Sequence, residues 1–262
     1  MSRSRPVAAL AALAGLALGA LAACGGSPAA AAQELRGTAS FAPQPLDAEA
    51  ARAVIVASER MGREMLVSAD PGENAVVSPA SLTLAFAMLA PGASGPGVSE
   101  LTELLGTDPA TAAVVAGGLL DHFSTWDGDV ADFDPTTLPD EPFLHIANRA
   151  VVREGFEAEA DYLDALAENF NAGLALADFA DAAGAKELLD EWVDHHTAGL
   201  IPESAIEPTP DLVLVLQNAV LFGAQWESQF EQHLTYERDF TPVDGAAFRV
   251  PMMSNPHAAA RY

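Results

Sequence analysis

The spacing of apolar residues changes several times along this chain, and each change marks an element. From Asp47 a helical spacing begins. "AEAARAVIVASERMGREML" puts Val54, Ala57, Met61 and Met65 on one helical stripe. "NAVV", residues 74–77, predicts a short strand. Ser78 then fits an N-cap and Pro79 the first helical position. Leu82, Phe86 and Leu89 line one face of that helix, and Pro91-Gly92 stops it. "VSELTELLG" predicts a short helix with Leu101, Leu104 and Leu105 inward and Gly106 at its end. A helix over 110–123 gives way to "WDGDVADFDPTTLPDEP", an exposed loop.

The second half opens on a strand, "FLHIANRAVVREG", ended by Gly155. "EAEADYLDALAENF" predicts a helix and "AGLALADF" a strand. "DAAGAKELLDEWVDHHTAGLI" predicts a long helix with Ala185, Leu189, Trp192 and His196 on one face. Residues 212–226, "LVLVLQNAVLFGAQW", are apolar at almost every position, as a strand buried on both faces should be. At ~3.3 Å per residue its apolar part would run about 35 Å. Gln217 and Asn218 interrupt it. A buried amide without partners costs about 1–3 kcal/mol. The two point to opposite faces, and periodicity accounts for neither. "RDFTPVDGAAFRVPMM" predicts a hairpin with its turn at Asp244-Gly245. Helices and strands mix without regular alternation, so the expected class is α+β with a largely antiparallel or mixed sheet.

Charge narrows the partners. The 262 residues carry 37 acidic against 12 basic side chains, a formal charge of −25, with Lys186 the one lysine. Nucleic acid binding needs clustered Lys and Arg, and an anionic lipid surface needs the same. The charge argues against both as electrostatic partners. The bland reading of the acidity is a well-solvated surface.

The N-terminus changes the picture again. Arg3 and Arg5 precede "PVAALAALAGLALGALAA", a run on the short side for a membrane span. It ends in "LAAC" followed by "GGS". This resembles a bacterial lipobox, which implies cleavage before Cys24 and a diacylglycerol on its thiol. Cys24 is the single cysteine, so no intrachain disulfide is possible. The expected organisation is a leader over 1–23, a flexible tether over 24–46, and a domain over 47–262. The expected place is the outer face of a bacterial cell membrane, touched only through the lipid.

Candidate chemistry is thin. "PGASGPG" (91–97) follows a helix, not a strand, and so fails as a phosphate loop. His195 and His196 point ~100° apart on a helix and cannot readily share a metal; Asp190 and Asp194 could each pair with one of them. No G-x-S-x-G elbow occurs. Neither a cofactor, a metal nor an enzyme activity is expected.

Five blocks in order resemble the serpin family. "NAVVSPASLTLAFAMLAPGASG" is similar to the serpin strand-and-helix segment N-hhh-S-P-h-S, and "FLHIANRAVV" to the family's I-A-N strand. "LLDEWVDHHTAGLI" resembles its W-V-x-x-x-T-x-G-x-I helix end. "LVLVLQNAVLFGAQWESQF" resembles its central strand, and "FTPVDGAAFRVPMM" its following hairpin. The resemblance implies a large mixed sheet with packed helices and smaller sheets. It implies inhibition of a serine or cysteine protease, by a bait loop that is cut and inserts into that sheet. It implies a monomer. It places Ser78 and Ser81 beneath the point of opening, Asn218 on the strand that slides aside, and Trp226 at that strand's top. Read without the family, Ser78 caps a helix, Ser81 satisfies its own backbone and Trp226 is core.

There are departures. Gly97 stands where the family usually has a capping threonine, and "FGAQW" lacks the usual lysine and glycine. A serpin domain continues well past Tyr262, through its later strands and bait loop. This chain alone is therefore expected not to inhibit a protease. A non-inhibitory serpin acting as a surface binding protein is the alternative.

Overall fold

The computed structural model describes residues 34–256 except Pro71 and Asp244, so the leader and Cys24 lie outside the described residues. Helix α1 (Ala48–Ser68) starts where the Asp47 carboxylate accepts from the Ala50 N–H at 2.8 Å. It buries Val54, Ala57 and Met61, while Met65 stays 47% exposed. Helix α2 (Pro79–Leu89) buries Thr83, Leu84, Ala87 and Met88 most deeply; of the expected Leu82, Phe86 and Leu89, the last two are partly buried against Ala90, Leu101 and Leu105. The cause is its composition. "PASLTLAFAML" is apolar on nearly every side, so periodicity cannot choose the inward face and its neighbours do.

Helix α3 (Pro96–Leu105) buries Leu101 and Leu105 and ends at Gly106 with φ 76°. A side chain there would be strained, and a Cβ would lie 2.7 Å from the Ala53 carbonyl oxygen. Helix α4 (Pro109–Phe123) is capped by Asp108, whose carboxylate accepts from the Thr111 N–H at 3.0 Å. The segment 74–77 is not a strand. Val76 is 96% exposed, and the segment pairs with no strand among the described residues. Local β-propensity is insufficient without a neighbour to pair with.

Strands β2 (Phe143–Arg153) and β4 (Leu214–Gly223) pair antiparallel from Phe143↔Gly223 to Val152↔Leu214. Between them in sequence come α5 (Ala160–Phe170), β3 (Leu174–Ala177) and α6 (Ala182–His196). β3 joins β2 in parallel, and β1 (Glu34–Leu35) joins β3 antiparallel. The sheet order is β1-β3-β2-β4, mixed as expected. β4 is shorter at both ends than the apolar run that predicted it.

The hairpin forms from β5 (Tyr236–Phe240) and β6 (Phe248–Met252). Its last pair is Phe240↔Phe248, so a loop over 241–247 replaces the expected two-residue turn. Asp244 itself lies outside the described residues.

The sheet has two covered faces. Leu84, Met88, Ala150, Leu166, Phe170 and Leu174 form one core beneath it, built by α2, α4 and α5. Val151, Ala175, Phe179, Leu189 and Val215 form the other, under α6.

Residues 34–46 do not behave as the tether expected over 24–46. β1 extends the sheet, and the Ala42 N–H donates to Glu168 O at 3.1 Å. The N–H groups of Thr38 and Ala39 donate to the Asp164 carboxylate at 2.6 and 3.1 Å. Those bonds, Ala39 first, hold the Asp164 pKa below its usual value. Low apolar bulk misleads here, because the segment is held mainly through its backbone.

Candidate functional site

The two amides of β4 have different surroundings. Asn148↔Asn218 and Arg149↔Gln217 face one another across the antiparallel pair. Paired residues share a face, and neighbouring pairs alternate. Gln217 and Arg149 therefore face α6, and Asn218 and Asn148 face the α2 side.

Gln217, buried at 7% exposure, is bonded at both ends of its amide. Its Oε1 accepts from Arg149 Nε at 2.8 Å, and its Nε2 donates to Leu189 O at 3.1 Å. Arg149 also donates to Leu188 O at 2.6 Å and lies 5.0 Å over the Trp192 ring. Burial lowers the Arg149 pKa to about 10, so it remains charged at neutral pH. The pair bolts α6 onto the sheet through carbonyls in the middle of the helix.

Asn218 is half satisfied. Its Nδ2 donates to Asn148 Oδ1 at 2.8 Å and to Ala147 O at 3.3 Å. Among the described residues its Oδ1 is buried without a hydrogen-bond partner. Among the described residues, β4 pairs only with β2 and is an edge of the sheet. It is nonetheless ten residues long, with Val215, Ala219 and Leu221 buried and Phe222 67% exposed. A long, largely apolar strand with a free edge is a template for another strand.

Ser78 and Ser81 come together at the start of α2. Their hydroxyls are 2.8 Å apart, and Ser78 Oγ accepts from the Ser81 N–H at 3.3 Å. Ser78 caps the helix. Ser78 and Val220 line one apolar cavity of about 210 Å³ with Leu84, Leu144 and Ile146, which places Ser78 under the β2–β4 pair. Among the described residues no hydrogen bond links either serine to Asn218. Trp226 lies past the end of β4, 72% exposed, with its ring against Phe230 at 6.5 Å.

Sequence reasoning missed Asn148 and Arg149. Their signal was available: laid antiparallel, "ANRA" and "LQNA" set polar residues opposite polar residues. It also missed the partner of His196. Asp190 binds Lys186 at 2.6 Å and accepts from the Ser204 N–H at 2.7 Å. His196 Nδ1 instead meets His145 Nε2 at 3.0 Å, and Asp127 Oδ1 lies 2.9 Å from His145 Nδ1. Among the described residues no group of three His, Cys, Asp or Glu could hold a metal ion.

Known proteins share this architecture. The family described as Serpin (serine protease inhibitor) matches residues 60–261. Iripin-3 of Ixodes ricinus is 32% identical over 190 residues, covering 71% of this chain and 46% of that protein. Human Serpin I2 is 29% identical over 189 residues, covering 71% and 44%. The chain thus spans a little under half the length of these relatives. Among solved structures, native tengpin, a thermophilic serpin, aligns with a TM-score of 0.65 at 24% identity, covering 82% of this chain and 52% of that one. A loop C-sheet serpin polymer aligns with a TM-score of 0.66 at 25% identity, covering 82% and 54%. With its mixed sheet, its helices on both faces and the matched length, this chain belongs to the serpin family.

Proposed function

We propose that this chain supplies the receiving side of a protease inhibitor, in which a cut reactive loop is added as a new strand along β4. The observation that carries the reading is the edge of β4. Among the described residues it is open, ten residues long and largely apolar, and the buried Oδ1 of Asn218 on it lacks a donor. A strand laid along that edge would form about ten backbone hydrogen bonds, each worth a net ~0.5–1.5 kcal/mol. A polar side chain on the next strand would satisfy the Asn218 oxygen. Asn218 and Ser81 then act at the point where the sheet opens, Ser78 also caps α2, and Trp226 stands beyond the strand end where insertion begins. The target is a serine or cysteine protease, met outside a bacterial cell by a protein anchored through Cys24.

The test compares residues 24–262 with the same chain extended by whatever the gene encodes after Tyr262. Each is mixed with trypsin-, chymotrypsin- and subtilisin-like proteases and examined for a detergent-stable complex. The extended protein should trap at least one protease, and the shorter chain none. A complex with the shorter chain, a stop codon after Tyr262, or cleavage of the extended protein without trapping would each sink the reading.

A further inference from the structure

We infer that His145 and His196 form a pH-sensitive latch that holds the C-terminal end of α6 against β2 and releases it on acidification. This rests on the fold alone and not on the inhibitor reading. The two rings lie nearly parallel, 11° apart, with centroids at 5.2 Å. His145 Nε2 and His196 Nδ1 are 3.0 Å apart. Such a contact needs one nitrogen with a proton and one without. Asp127, an acceptor when ionised, accepts a hydrogen bond from the His145 Nδ1–H at 2.9 Å. The remaining three ring nitrogens leave room for one positive charge on the pair. A second proton would set N–H against N–H and place two cations side by side.

The surroundings sharpen this. His196 is faced by His145 and Arg149 from β2 and by His195 from α6 itself. Among the described residues one carboxylate, Asp127, reaches the pair, and it is already bound to His145. Glu34 and Arg36 line the same cavity of about 480 Å³, but they bind each other at 3.2 Å. A cation near the last turn of a helix is ordinarily favoured. Here burial, followed by His145, His195 and Arg149, pushes the His196 pKa down to about 4.

The sign follows. A folded pKa below the ordinary value of 6.5 means that the unfolded or undocked state binds the extra proton first. The stabilisation is complete above about 6.5 and is lost as pH falls from there towards about 4. The ties on the middle of the helix carry no group that titrates in that range, since Gln217 is not ionisable and Arg149 titrates at about 10. Arg149 and Gln217 hold the carbonyls of Leu188 and Leu189, and Leu189 is fully buried. The middle of the helix therefore stays docked while its last turns come free.

Amide hydrogen exchange on the 262-residue chain, corrected for intrinsic pH dependence, tests this. At about pH 4.5, protection over 190–197 should fall by roughly tenfold relative to about pH 7, while α4 stays unchanged. His196→Gln keeps a side chain that can meet His145 and should remove the pH dependence. His145→Gln should do the same if that variant folds poorly. The fluorescence of Trp192, whose ring lies 4.5 Å from His196, gives a second readout in a background of W126F and W226F. It should titrate in that background and be flat once H196Q is added. Equal loss of protection in α4 and α6, or an undiminished fall in both glutamine variants, overturns the latch.

Discussion

Gln217 and Asn218 carry the same chemical group on adjacent residues of one strand. On the α6 face, both ends of the Gln217 amide are occupied, and its partner Arg149 makes two further contacts. On the α2 face, Asn218 donates twice and leaves a buried oxygen unpaired. The first arrangement fastens a helix to a sheet. The second leaves a position that a neighbouring strand can complete. A buried polar group can thus serve rigidity or change, and its partners decide which.

If this contrast is right, damage to the closed side should be the more costly. Arg149→Ala strips the acceptor of Gln217 and the carbonyl of Leu188 of their donor and uncovers Trp192. It should destabilise the chain by about 3 kcal/mol, read from the urea midpoint at constant slope. Gln217→Leu keeps the bulk but strands the guanidinium Nε and the Leu189 carbonyl, and should cost about 2 kcal/mol in the same assay. A double mutant should lose far less than the sum, because the two share one network. Ser78→Ala removes the α2 cap and should cost about 1 kcal/mol, with Ser78→Asp recovering most of it. Asn218→Ala should cost the least, on the order of 0.5 kcal/mol, since it removes an unpaired acceptor together with the donor. An Asn218 variant costlier than the Gln217 variant would break the comparison, and would mean the orphan oxygen is satisfied after all.

How much of this could be read from the chain varies with the distance over which each contact acts. The cap expected at Ser78 bonds three residues ahead, and Gly106 closes its own helix as expected. Apolar runs marked β2, β3 and β4. Failures came where a neighbour decides. "NAVV" has strand composition but no partner among the described residues, α2 is apolar on nearly every side, and residues 34–46 look like a linker yet bind by their backbone. Ser81 and Asn218 came forward through family resemblance, whereas Asn148 and Arg149 needed the register.

The amino-acid sequence by itself determined the α+β class, most of the order of elements, the acidity that argues against nucleic acid, and several local stops and caps. These depend on residues a few places apart, where spacing carries the information. The tertiary structure alone decided what the polar residues of β4 do. Asn218 meets a residue 70 positions away, Gln217 one 68 away, and His196 one 51 away. Such contacts arise from strand register and helix docking, and no periodic pattern within either segment encodes them.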